Sequence, residues 1–325
     1  MIITRSPLRI TLGGGGTDLE SYYSAFGGFF ISAAIDKYVY VSVSEPFRPG
    51  FFIKYSKLEE VEKAQNLEHP LIRSMLLEKY QNLRDLEFSS FADVPAGTGL
   101  GSSGAFAVAG LRALSRFSSE PLDPIACAEL AYWLENKSLK ETSGKQDPYA
   151  SALGGLRAFT ISQDGAVTSQ PIAVTNDFSE AIEANLHLYF TGLTRRSSEV
   201  LLSQDQKSKS GDRGILDNLH LTKELGYRAV EALERSSISE LGNLFNLQWE
   251  QKLSRSPESV NEHIHYLRNL GLASGAIGSK LIGAGGGGFL LFAAEPLPRF
   301  LREMKSAGVR KVSFSISHHG VQDVI

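Results

Sequence analysis

Four glycines stand at intervals of two or three residues in the segment DVPAGTGLGSSGAFAVAGLRALSRF, which covers residues 93–117. Ordered glycine costs backbone entropy, so such a cluster is usually kept for a conformation or a close approach that a Cβ atom would block. The residues that follow have helical periodicity, so free N–H groups and the positive dipole end of a helix face the glycines. The pattern predicts an anion-binding loop that contains Gly97, Gly99, Gly101 and Gly104.

Two further glycine clusters lie far away along the chain. LGGGGTD (residues 12–18) follows the first predicted strand, and IGAGGGGF (residues 282–289) lies between two predicted strands. Turns rarely need four consecutive glycines, which indicates that the backbone approaches a ligand or another loop. Because the three clusters are spread over both halves of the chain, we expect them to line one shared cleft.

The second of these loops, taken alone, allows other interpretations. Residues 99–104 match the G-x-G-x-x-G pattern of dinucleotide-binding folds, which is a weak signal when it occurs by itself. Pro95 interrupts the approach from the preceding strand, and the nearest acidic residues, Glu120 and Asp123, lie in a polar turn. The lysine of a P-loop is absent after the loop. A tight strand–helix junction that binds nothing remains the alternative.

The composition restricts the class of protein. The chain has 325 residues, of which 42% are hydrophobic and 21% are charged, enough to form a core and too little charge for disorder. The net charge of −3 argues against nucleic acid as a main partner. Cys127 is the one cysteine, so a disulfide framework is excluded. The first ten residues lack a signal-peptide core, and no apolar run reaches the length of a membrane helix. We expect a cytoplasmic protein without membrane or nucleic-acid partners.

The interleaving of strands, helices and hairpins predicts an α+β fold with two domains. We place the boundary at Phe178, which gives domains of residues 1–178 and 179–325. Asp123-Pro124 and Asp147-Pro148 each predict a helix start, because aspartate caps helices and proline suits the first turn. The other predicted strands are 2–12, 29–43, 86–92, 156–162, 166–174, 185–190, 311–317 and a glycine-rich pair within 276–294, and the other predicted helices include 19–26, 70–81 and 298–306.

Three segments resemble the three motifs of the GHMP kinases, the superfamily of galactokinase, homoserine kinase and mevalonate kinase. Pro7-Leu8-Arg9 with residues 13–18 resembles the first motif, residues 95–103 the second, and residues 280–289 the third. SPLRITLGGGGTD, SGKQDPYASALGGL and LYFTGLTRRS are most similar to the bacterial D-glycero-D-manno-heptose 7-phosphate kinases. Their Gly-Gln-Asp-Gln-Tyr form appears here as GKQDPY (residues 144–149), and the Gly-Glu-His of galactokinases is absent.

The resemblance implies a fold with an N-terminal domain like ribosomal protein S5 and a ferredoxin-like C-terminal domain. It implies ATP and Mg²⁺ as cofactors and a small sugar phosphate as the acceptor, in a monomer or a homodimer. Backbone N–H groups at a helix start suit the ATP phosphates. The expected ATP-binding residues are Gly97, Thr98, Gly99, Leu100, Gly101, Ser102 and Ser103.

The resemblance also assigns catalytic and metal-binding roles. Asp147 orients the acceptor hydroxyl and takes its proton late, Arg9 supplies positive charge, and Ser103 with Glu135 binds Mg²⁺. Each assignment has an alternative without a catalytic or metal-binding role. Ser102, Ser103 and Asp147 are all residue types that cap helices. Glu135 can be a solvated acid at a helix end, and Arg9 can be a surface residue of a strand.

The acceptor site is expected at the first and third glycine clusters. Asp18 can accept hydrogen bonds from sugar hydroxyls, or it can cap the next helix. Arg195-Arg196 follows a predicted strand and precedes a predicted helix, which suits the acceptor's phosphate, although most adjacent arginines are solvated. The expected acceptor-binding residues are Gly14, Gly15, Gly16, Thr17, Asp18, Arg195, Arg196, Gly285 and Gly286.

The expected reaction is phosphorylation of the anomeric hydroxyl of D-glycero-D-manno-heptose 7-phosphate. Another GHMP sugar kinase, resembling fucokinase or galactokinase, is the alternative enzyme. A nucleotide-binding regulator that kept the fold and lost catalysis is the alternative outside the enzymes, and the presence of Arg9, Glu135 and Asp147 argues against it.

Overall fold

The structure is a computed structural model that describes residues 1–194, 197–295 and 297–325. Its strands fall into two sheets, and both are built from segments with alternating or continuously apolar residues. The strands are β1 (Ile2–Gly13), β2 (Gly28–Ser44), β3 (Phe51–Lys54), β4 (Leu58–Val61), β5 (Leu86–Ala92), β6 (Leu156–Ile161), β7 (Val167–Pro171), β8 (Leu186–Phe190), β9 (Gly278–Leu281), β10 (Phe289–Ala293), β11 (Arg310–Val312) and β12 (Gln322–Asp323).

The first sheet has the strand order β12-β1-β2-β5-β3-β4, and β6 extends it from β2 to β7. The long strand β2 is its centre, because β2 pairs with β1, β5 and β6. Strand β3 runs parallel to β5, and the other pairs among the described residues are antiparallel.

The second sheet is antiparallel with the order β11-β8-β10-β9. Helices separate β8 from β9 and β10 from β11, so the segment has the β-α-β-β-α-β connectivity of ferredoxin-like folds. The α+β architecture expected from the sequence is confirmed, including the ferredoxin-like C-terminal part.

Helices cover both sheets and carry much of the cleft described below. Two of them continue into a π turn, α2 at Met75–Lys79 and α4 at Leu134–Ser138. The helices are α1 (Glu20–Phe26), α2 (Pro70–Ser74), α3 (Ser102–Phe117), α4 (Pro124–Trp133), α5 (Gln146–Leu153), α6 (Asn176–Asn185), α7 (Ser197–Lys209), α8 (Arg213–Glu234), α9 (Ile238–Arg255), α10 (Glu262–Ala273) and α11 (Pro298–Ser306).

One continuous hydrophobic core joins the two halves. Buried side chains of β1 and β2 pack with side chains of α8 and of the second sheet. At the end of β1 a Cβ atom on Gly13 would lie 3.0 Å from the Cα atom of Gly226 in α8. The two backbones therefore touch without an intervening side chain, and this contact fixes the first glycine loop against α8.

Several elements differ from the sequence prediction. The predicted boundary residue Phe178 lies inside α6 (Asn176–Asn185), which the prediction omitted, and the short strands β3, β4 and β12 were also missed. The predicted strand 311–317 is shorter, because only β11 and an isolated bridge from Ile35 to Ile316 form there. Since β12 pairs with β1, the end of the chain returns to the first sheet, and the division into residues 1–178 and 179–325 stays a prediction.

No helix among the described residues combines the length and the apolar character that crossing a bilayer requires.

Helix α4 begins as the sequence predicts, and its cap offers a test of the fold. The Asp123 carboxylate accepts a hydrogen bond of 2.8 Å from the N–H of Ala126 at an exposed position. We expect Asp123→Ala to lower the stability by about 1 kcal/mol, because the first turn loses its acceptor. Asp123→Asn should retain most of the stability, because asparagine also caps helices. Chemical denaturation midpoints of the three proteins check this, and equal midpoints for Asp123→Ala and the unmutated protein would contradict the cap.

Candidate active site

The three glycine clusters meet at one cleft of about 910 Å³. The cleft is bordered by β1, by the first residues of α3 and α5, and by the π turn that follows α4. From the C-terminal half, α9 and β9 also line the cleft. The structure thus brings together residues from segments that lie more than 250 positions apart in the chain, from Arg9 to Lys280.

The second glycine loop (residues 97–103) has the conformation that its glycines allow. Gly97, Gly99 and Gly101 have φ angles of +76°, +82° and +78°, a region that side chains disfavour. Gly101 occupies the N-cap position of α3, and no side chain caps this helix. Neither serine of the loop is therefore the cap, and the N–H groups of the first turn stay available to an anion.

Two residues of this loop support it from within. Leu100 has a buried side chain, and its carbonyl accepts a hydrogen bond of 2.9 Å from the backbone N–H of Arg9. Thr98 is also buried, and its hydroxyl donates to the Pro95 carbonyl at 2.9 Å. Their side chains shape the loop, whereas Gly97, Gly99, Gly101, Ser102 and Ser103 line the cleft.

The third glycine loop (residues 282–288) packs directly on the second. A Cβ atom on Gly283 would lie 2.6 Å from the Cα atom of Gly99, and one on Gly288 would lie 2.2 Å from the Thr98 carbonyl oxygen. The sequence allowed these glycines to approach either a ligand or another loop, and here they approach another loop.

The two residues of the third loop that the sequence assigned to the acceptor lie beside Ser259. Gly285 lines the cleft, and a Cβ atom there would lie 2.5 Å from the Cβ of Ser259. Gly286 donates its N–H to the Ser259 carbonyl at 2.6 Å.

The first glycine loop (residues 13–18) contributes Gly14, Gly15, Gly16 and Asp18 to the cleft. The hydroxyl of Thr17 is buried and donates to the Phe29 carbonyl at 2.7 Å, so Thr17 secures the loop to β2 instead of facing the cleft.

The Asp18 carboxylate connects this loop to α5. It accepts hydrogen bonds from the N–H groups of Gly16 at 2.9 Å and of Gln146 at 3.0 Å. Burial raises the pKa of the Asp18 carboxyl, and these hydrogen bonds lower it in part. The helix that follows Asp18, α1, has Leu19 at its N-cap without a side-chain cap, so Asp18 caps α5 and not the next helix.

The start of α5 corrects one sequence prediction. The sequence places Asp147 at the N-cap, but α5 begins at Gln146 and Asp147 lies in its first turn. The reason is that Asp18, from the first glycine loop, supplies the acceptor for the Gln146 N–H. The carboxylate of Asp147 is therefore not used as the cap.

Arg9 and Asp147 form an ion pair at the floor of the cleft. The Nε atom of Arg9 lies 2.9 Å from Oδ1 of Asp147, and its Nη1 donates to the Gly99 carbonyl at 2.5 Å. Arg9 is 3% exposed, which excludes a surface role, whereas the Asp147 side chain is 35% exposed. The two hydrogen bonds that Arg9 donates to Asp147, from Nε and Nη2, both go to Oδ1, and within the described residues Oδ2 of Asp147 accepts none. This second oxygen is free to accept a proton from a hydroxyl in the cleft.

Ser103 and Glu135 lie together beside this ion pair. The Ser103 hydroxyl donates to Oε1 of Glu135 at 2.5 Å, and Glu135 is 5% exposed in the π turn after α4. Burial raises the pKa of the Glu135 carboxyl, hydrogen bonds from Ser103 and Ser143 lower it, and the Asp147 charge raises it further. No cation pairs with Glu135 among the described side chains. A buried carboxylate without a counter-ion is suited to a cationic ligand.

Three cationic residues of the cleft wall were missed by the sequence analysis. Lys252 and Arg255 come from α9, and Lys280 comes from β9. Lys280 falls within the third motif, but Lys252 and Arg255 have no local signal, since basic residues on a helix usually belong to its solvated face.

Lys145 was also missed, and it lies at the start of α5 among three tyrosines. Its Nζ atom is 4.5 Å from the ring centre of Tyr132, 5.6 Å from that of Tyr23 and 5.9 Å from that of Tyr149. Burial lowers the pKa of the Lys145 ammonium. These cation–π contacts hold the backbone turn that precedes Asp147.

Arg195 and Arg196, predicted to bind the acceptor's phosphate, lie outside the described residues. Their assignment stays a prediction.

The residues in the cleft can act together on a phosphorylated nucleotide and a hydroxyl. Helix α3 presents N–H groups to an anion, Arg9 supplies a permanent positive charge, and Asp147 has a free carboxylate oxygen. Glu135 offers negative charge to a metal ion at the same place. This combination is the one that phosphoryl transfer requires, since that reaction depends on positioning and charge neutralisation.

Comparison with known proteins agrees with this chemistry. Residues 66–155 match the GHMP kinase N-terminal domain family, and residues 229–311 match the GHMP kinase C-terminal family. Together the two matches cover more than half of the chain.

Similar proteins extend over the whole chain. A D-glycero-alpha-D-manno-heptose 7-phosphate kinase of Campylobacter jejuni is 27% identical, with 99% of this chain and 98% of that protein covered. The L-fucokinase/L-fucose-1-P guanylyltransferase of Bacteroides fragilis is 27% identical over 90% of this chain, which spans 34% of that longer protein. The structure of a D-glycero-D-manno-heptose 1-phosphate kinase from Bacteroides thetaiotaomicron superposes with a TM-score of 0.81 at 23% identity, covering 100% of this chain and 99% of that one.

The second glycine loop, the Arg9–Asp147 pair and the two family matches lead to one conclusion: the chain belongs to the GHMP kinases and is an ATP-dependent kinase.

Proposed function

We propose that this GHMP sugar kinase transfers the γ-phosphoryl group of ATP to the anomeric hydroxyl of D-glycero-D-manno-heptose 7-phosphate. The products are the 1,7-bisphosphate and ADP, and the bisphosphate serves the synthesis of nucleotide-activated heptose. We propose that the enzyme works in the cytoplasm as a monomer or a homodimer.

The observation that carries the kinase mechanism is the Arg9–Asp147 pair beside the second glycine loop. The ATP phosphates bind the N–H groups of residues 97–103, and Arg9 lies where the γ-phosphoryl group meets the acceptor. Oδ2 of Asp147 accepts the hydrogen bond of the attacking hydroxyl. Because the transition state of phosphoryl transfer is loose, Asp147 orients the hydroxyl first and takes its proton late.

Mg²⁺ fits the pair of Ser103 and Glu135. Magnesium is usually held by one or two carboxylates, substrate phosphates and water, and does not need a cage of protein ligands. The Glu135 carboxylate is buried, and among the described residues no cation pairs with it. Ser103 and Glu135 would hold the ion, and its charge would neutralise negative charge on the phosphoryl group.

The acceptor is assigned from the similarity and from the first glycine loop. The Campylobacter relative, named as a heptose 7-phosphate kinase, aligns over nearly all of both chains. Backbone groups of Gly14, Gly15 and Gly16 line the cleft beside Asp18, whose carboxylate can accept hydrogen bonds from sugar hydroxyls.

A second candidate is a kinase for a free sugar, such as fucose, because the Bacteroides fragilis relative carries that name. A galactokinase-like activity is less well supported, since the Gly-Glu-His of galactokinases is absent after Arg9.

One experiment separates these acceptors. The protein is incubated with MgATP and each of a panel of free and phosphorylated sugars, and ³¹P NMR follows ADP and the new phosphate ester. We expect a new anomeric phosphate resonance with heptose 7-phosphate and little conversion of fucose or galactose. Efficient turnover of a free sugar and none of heptose 7-phosphate would replace the proposed acceptor, and no ATP consumption at all would favour a regulator.

Asp147→Asn should lower kcat by about 100-fold or more while the protein stays folded, because the amide cannot take the proton of the acceptor. Single-turnover kinetics measures the chemical step. Asp123→Asn is the matched control, since Asp123 also lies at a helix start but outside the cleft. Near-normal turnover of a folded Asp147→Asn protein would remove Asp147 from the mechanism.

Gly101→Val should abolish ATP binding. A Cβ atom at Gly101 would lie 3.1 Å from the Cγ atom of Arg9, and its φ of +78° disfavours a β-branched residue. Gly308→Val separates strain from the site, because Gly308 has a similar φ of +74° and open space around it. Calorimetry with ATP measures both variants, and unchanged ATP affinity in Gly101→Val would mean that the loop is only a junction.

Ser103→Ala and Glu135→Gln should each raise the Mg²⁺ concentration needed for half-maximal activity more than they raise the KM for ATP. The reason is that each variant removes an oxygen that can bind the metal. Activity is titrated with Mg²⁺ at saturating ATP. Low activity without any shift in the metal dependence would show that these two residues are not ligands.

A further inference from the structure

A cluster of three cations, formed by Lys252, Arg255 and Lys280, lines the cleft from the C-terminal half of the chain. Lys252 and Arg255 are three residues apart on α9 and so lie on one face of the helix. Lys280 lies on β9, which packs against α9, and it is 7% exposed.

The hydrogen-bond partners of this cation cluster are all neutral. Lys252 donates to the carbonyl of Leu281 at 3.0 Å and to that of Gly283, and Lys280 donates to the side chain of Gln248. Arg255 donates through Nη1 to Asn218 at 2.9 Å and to Thr222 at 3.3 Å.

The cluster carries charge that these neighbours do not balance. Within residues 1–194, 197–295 and 297–325, none of the three cations forms an ion pair. Arg255 keeps N–H groups beyond its Nη1 bonds, and each lysine keeps at least one donor.

The pKa values of all three cations are lowered, chiefly by burial. Burial and the charges of Arg9 and Arg255 lower the pKa of Lys280 to about 7. Burial and the neighbouring charges of Arg255, Lys280 and Arg9 hold the pKa of Lys252 well below its ordinary value. Burial lowers the pKa of Arg255 to about 10, against the attraction of Asp18. Groups of one sign gathered in a cleft at such cost are typical of binding sites.

The hydrogen-bond partners of the cluster connect it to the first glycine loop, where the acceptor is expected. Arg255 bonds Asn218 of α8, and the next residue, Leu219, would lie 3.5 Å from a Cβ atom on Gly16. Gln248, which accepts from Lys280, donates to the Leu12 carbonyl at 3.0 Å. The N–H groups expected to hold the ATP phosphates come from the start of α3. An anion at the cluster would therefore lie beside the first glycine loop.

We propose that Lys252, Arg255 and Lys280 bind the phosphate group that the acceptor already carries. This inference rests on the proposed function, in which the acceptor is a sugar phosphate. The arginine offers a planar fork to two phosphate oxygens, and the two lysines add point charges. The site selects for a phosphorylated acceptor over the free sugar, because the free sugar leaves the three cations uncompensated.

The test compares Arg255→Met and Lys280→Met with the unmutated enzyme. Methionine keeps much of the side-chain volume and removes the charge. Arg268→Met is the matched control, since Arg268 is a partly buried arginine that does not itself line the cleft; it stacks on Trp249 at 4.6 Å and bonds Asn246. Lys252 is left unchanged in the test, because it also holds the third glycine loop through two carbonyls.

The first measurement is steady-state kinetics with heptose 7-phosphate and with the free heptose. Each cluster variant should raise KM for heptose 7-phosphate by about tenfold to a hundredfold and leave KM for ATP and kcat/KM for free heptose nearly unchanged. The Arg268→Met enzyme should behave as the unmutated one. An unchanged preference for the phosphorylated sugar, or an equal rise in KM for ATP, would overturn the inference. So would loss of that preference in Arg195→Ala or Arg196→Ala alone.

The second measurement uses inorganic phosphate and does not depend on turnover. The nucleotide site is filled with a non-hydrolysable ATP analogue, and phosphate binding is measured by calorimetry at pH 8 in two buffers of different ionisation enthalpy. A bound dianion favours the charged forms of Lys280 and Lys252, whose pKa values are both lowered, so binding should take up protons, and this uptake should fall in Lys280→Met. Arg9 from β1 and Arg255 from α9 also face Lys280.

The two measurements keep the inference separate from the proposed function. If the unmutated enzyme does not phosphorylate heptose 7-phosphate, the proposed function fails, and the phosphate titration then decides about the cluster alone. Phosphate binding that is lost in both cluster variants supports an anion site for another phosphorylated acceptor. Phosphate binding that is equal in all four proteins overturns the cluster as a phosphate site.

Discussion

The guanidinium group of Arg9 is the interaction on which the site depends, because it joins three segments that are distant in sequence. Its side chain contacts the Asp147 carboxylate of α5 and the Gly99 carbonyl, and its backbone N–H bonds the Leu100 carbonyl. Burial makes these contacts strong, since water cannot replace them. The same crowding explains Gly101, where a side chain would press against both Arg9 and Asp147.

Several glycines of this protein allow two backbone segments to pack directly against each other. The second and third glycine loops touch at Gly99 and Gly283, and the end of β1 touches α8 at Gly13 and Gly226. Each contact joins a segment of the N-terminal half to one of the C-terminal half. Gly99 and Gly283, which line the cleft, therefore also hold the two halves of the chain together.

The sequence predicts those parts of the site that depend only on residues close to each other in the chain. The second glycine loop with α3 behind it, and the cap of α4 at Asp123, follow from short patterns and occur as predicted. The missed parts come from contacts between distant residues. Asp18 caps α5 across 128 positions, which shifts Asp147 from the cap into the first turn, and no local pattern shows this. Arg255 has the sequence pattern of a solvated helix residue, and only the packing of α9 against α8 brings it to Asn218 and Thr222.

Acidic and basic groups of the cleft come from different elements, and this separation has a consequence for the proposed reaction. Glu135 bonds Ser103 at the start of α3, Arg9 pairs with Asp147, and Lys252, Arg255 and Lys280 line the cleft from α9 and β9. In the proposed complex, a nucleotide with its metal ion would balance the charge of Glu135, and the phosphate of the acceptor would balance the cation cluster. An acceptor with its phosphate at one end and its hydroxyl at the other can then bind in one direction only, with the hydroxyl at Asp147. Since phosphoryl transfer gains its rate from in-line placement, this separation of charge would itself contribute to catalysis.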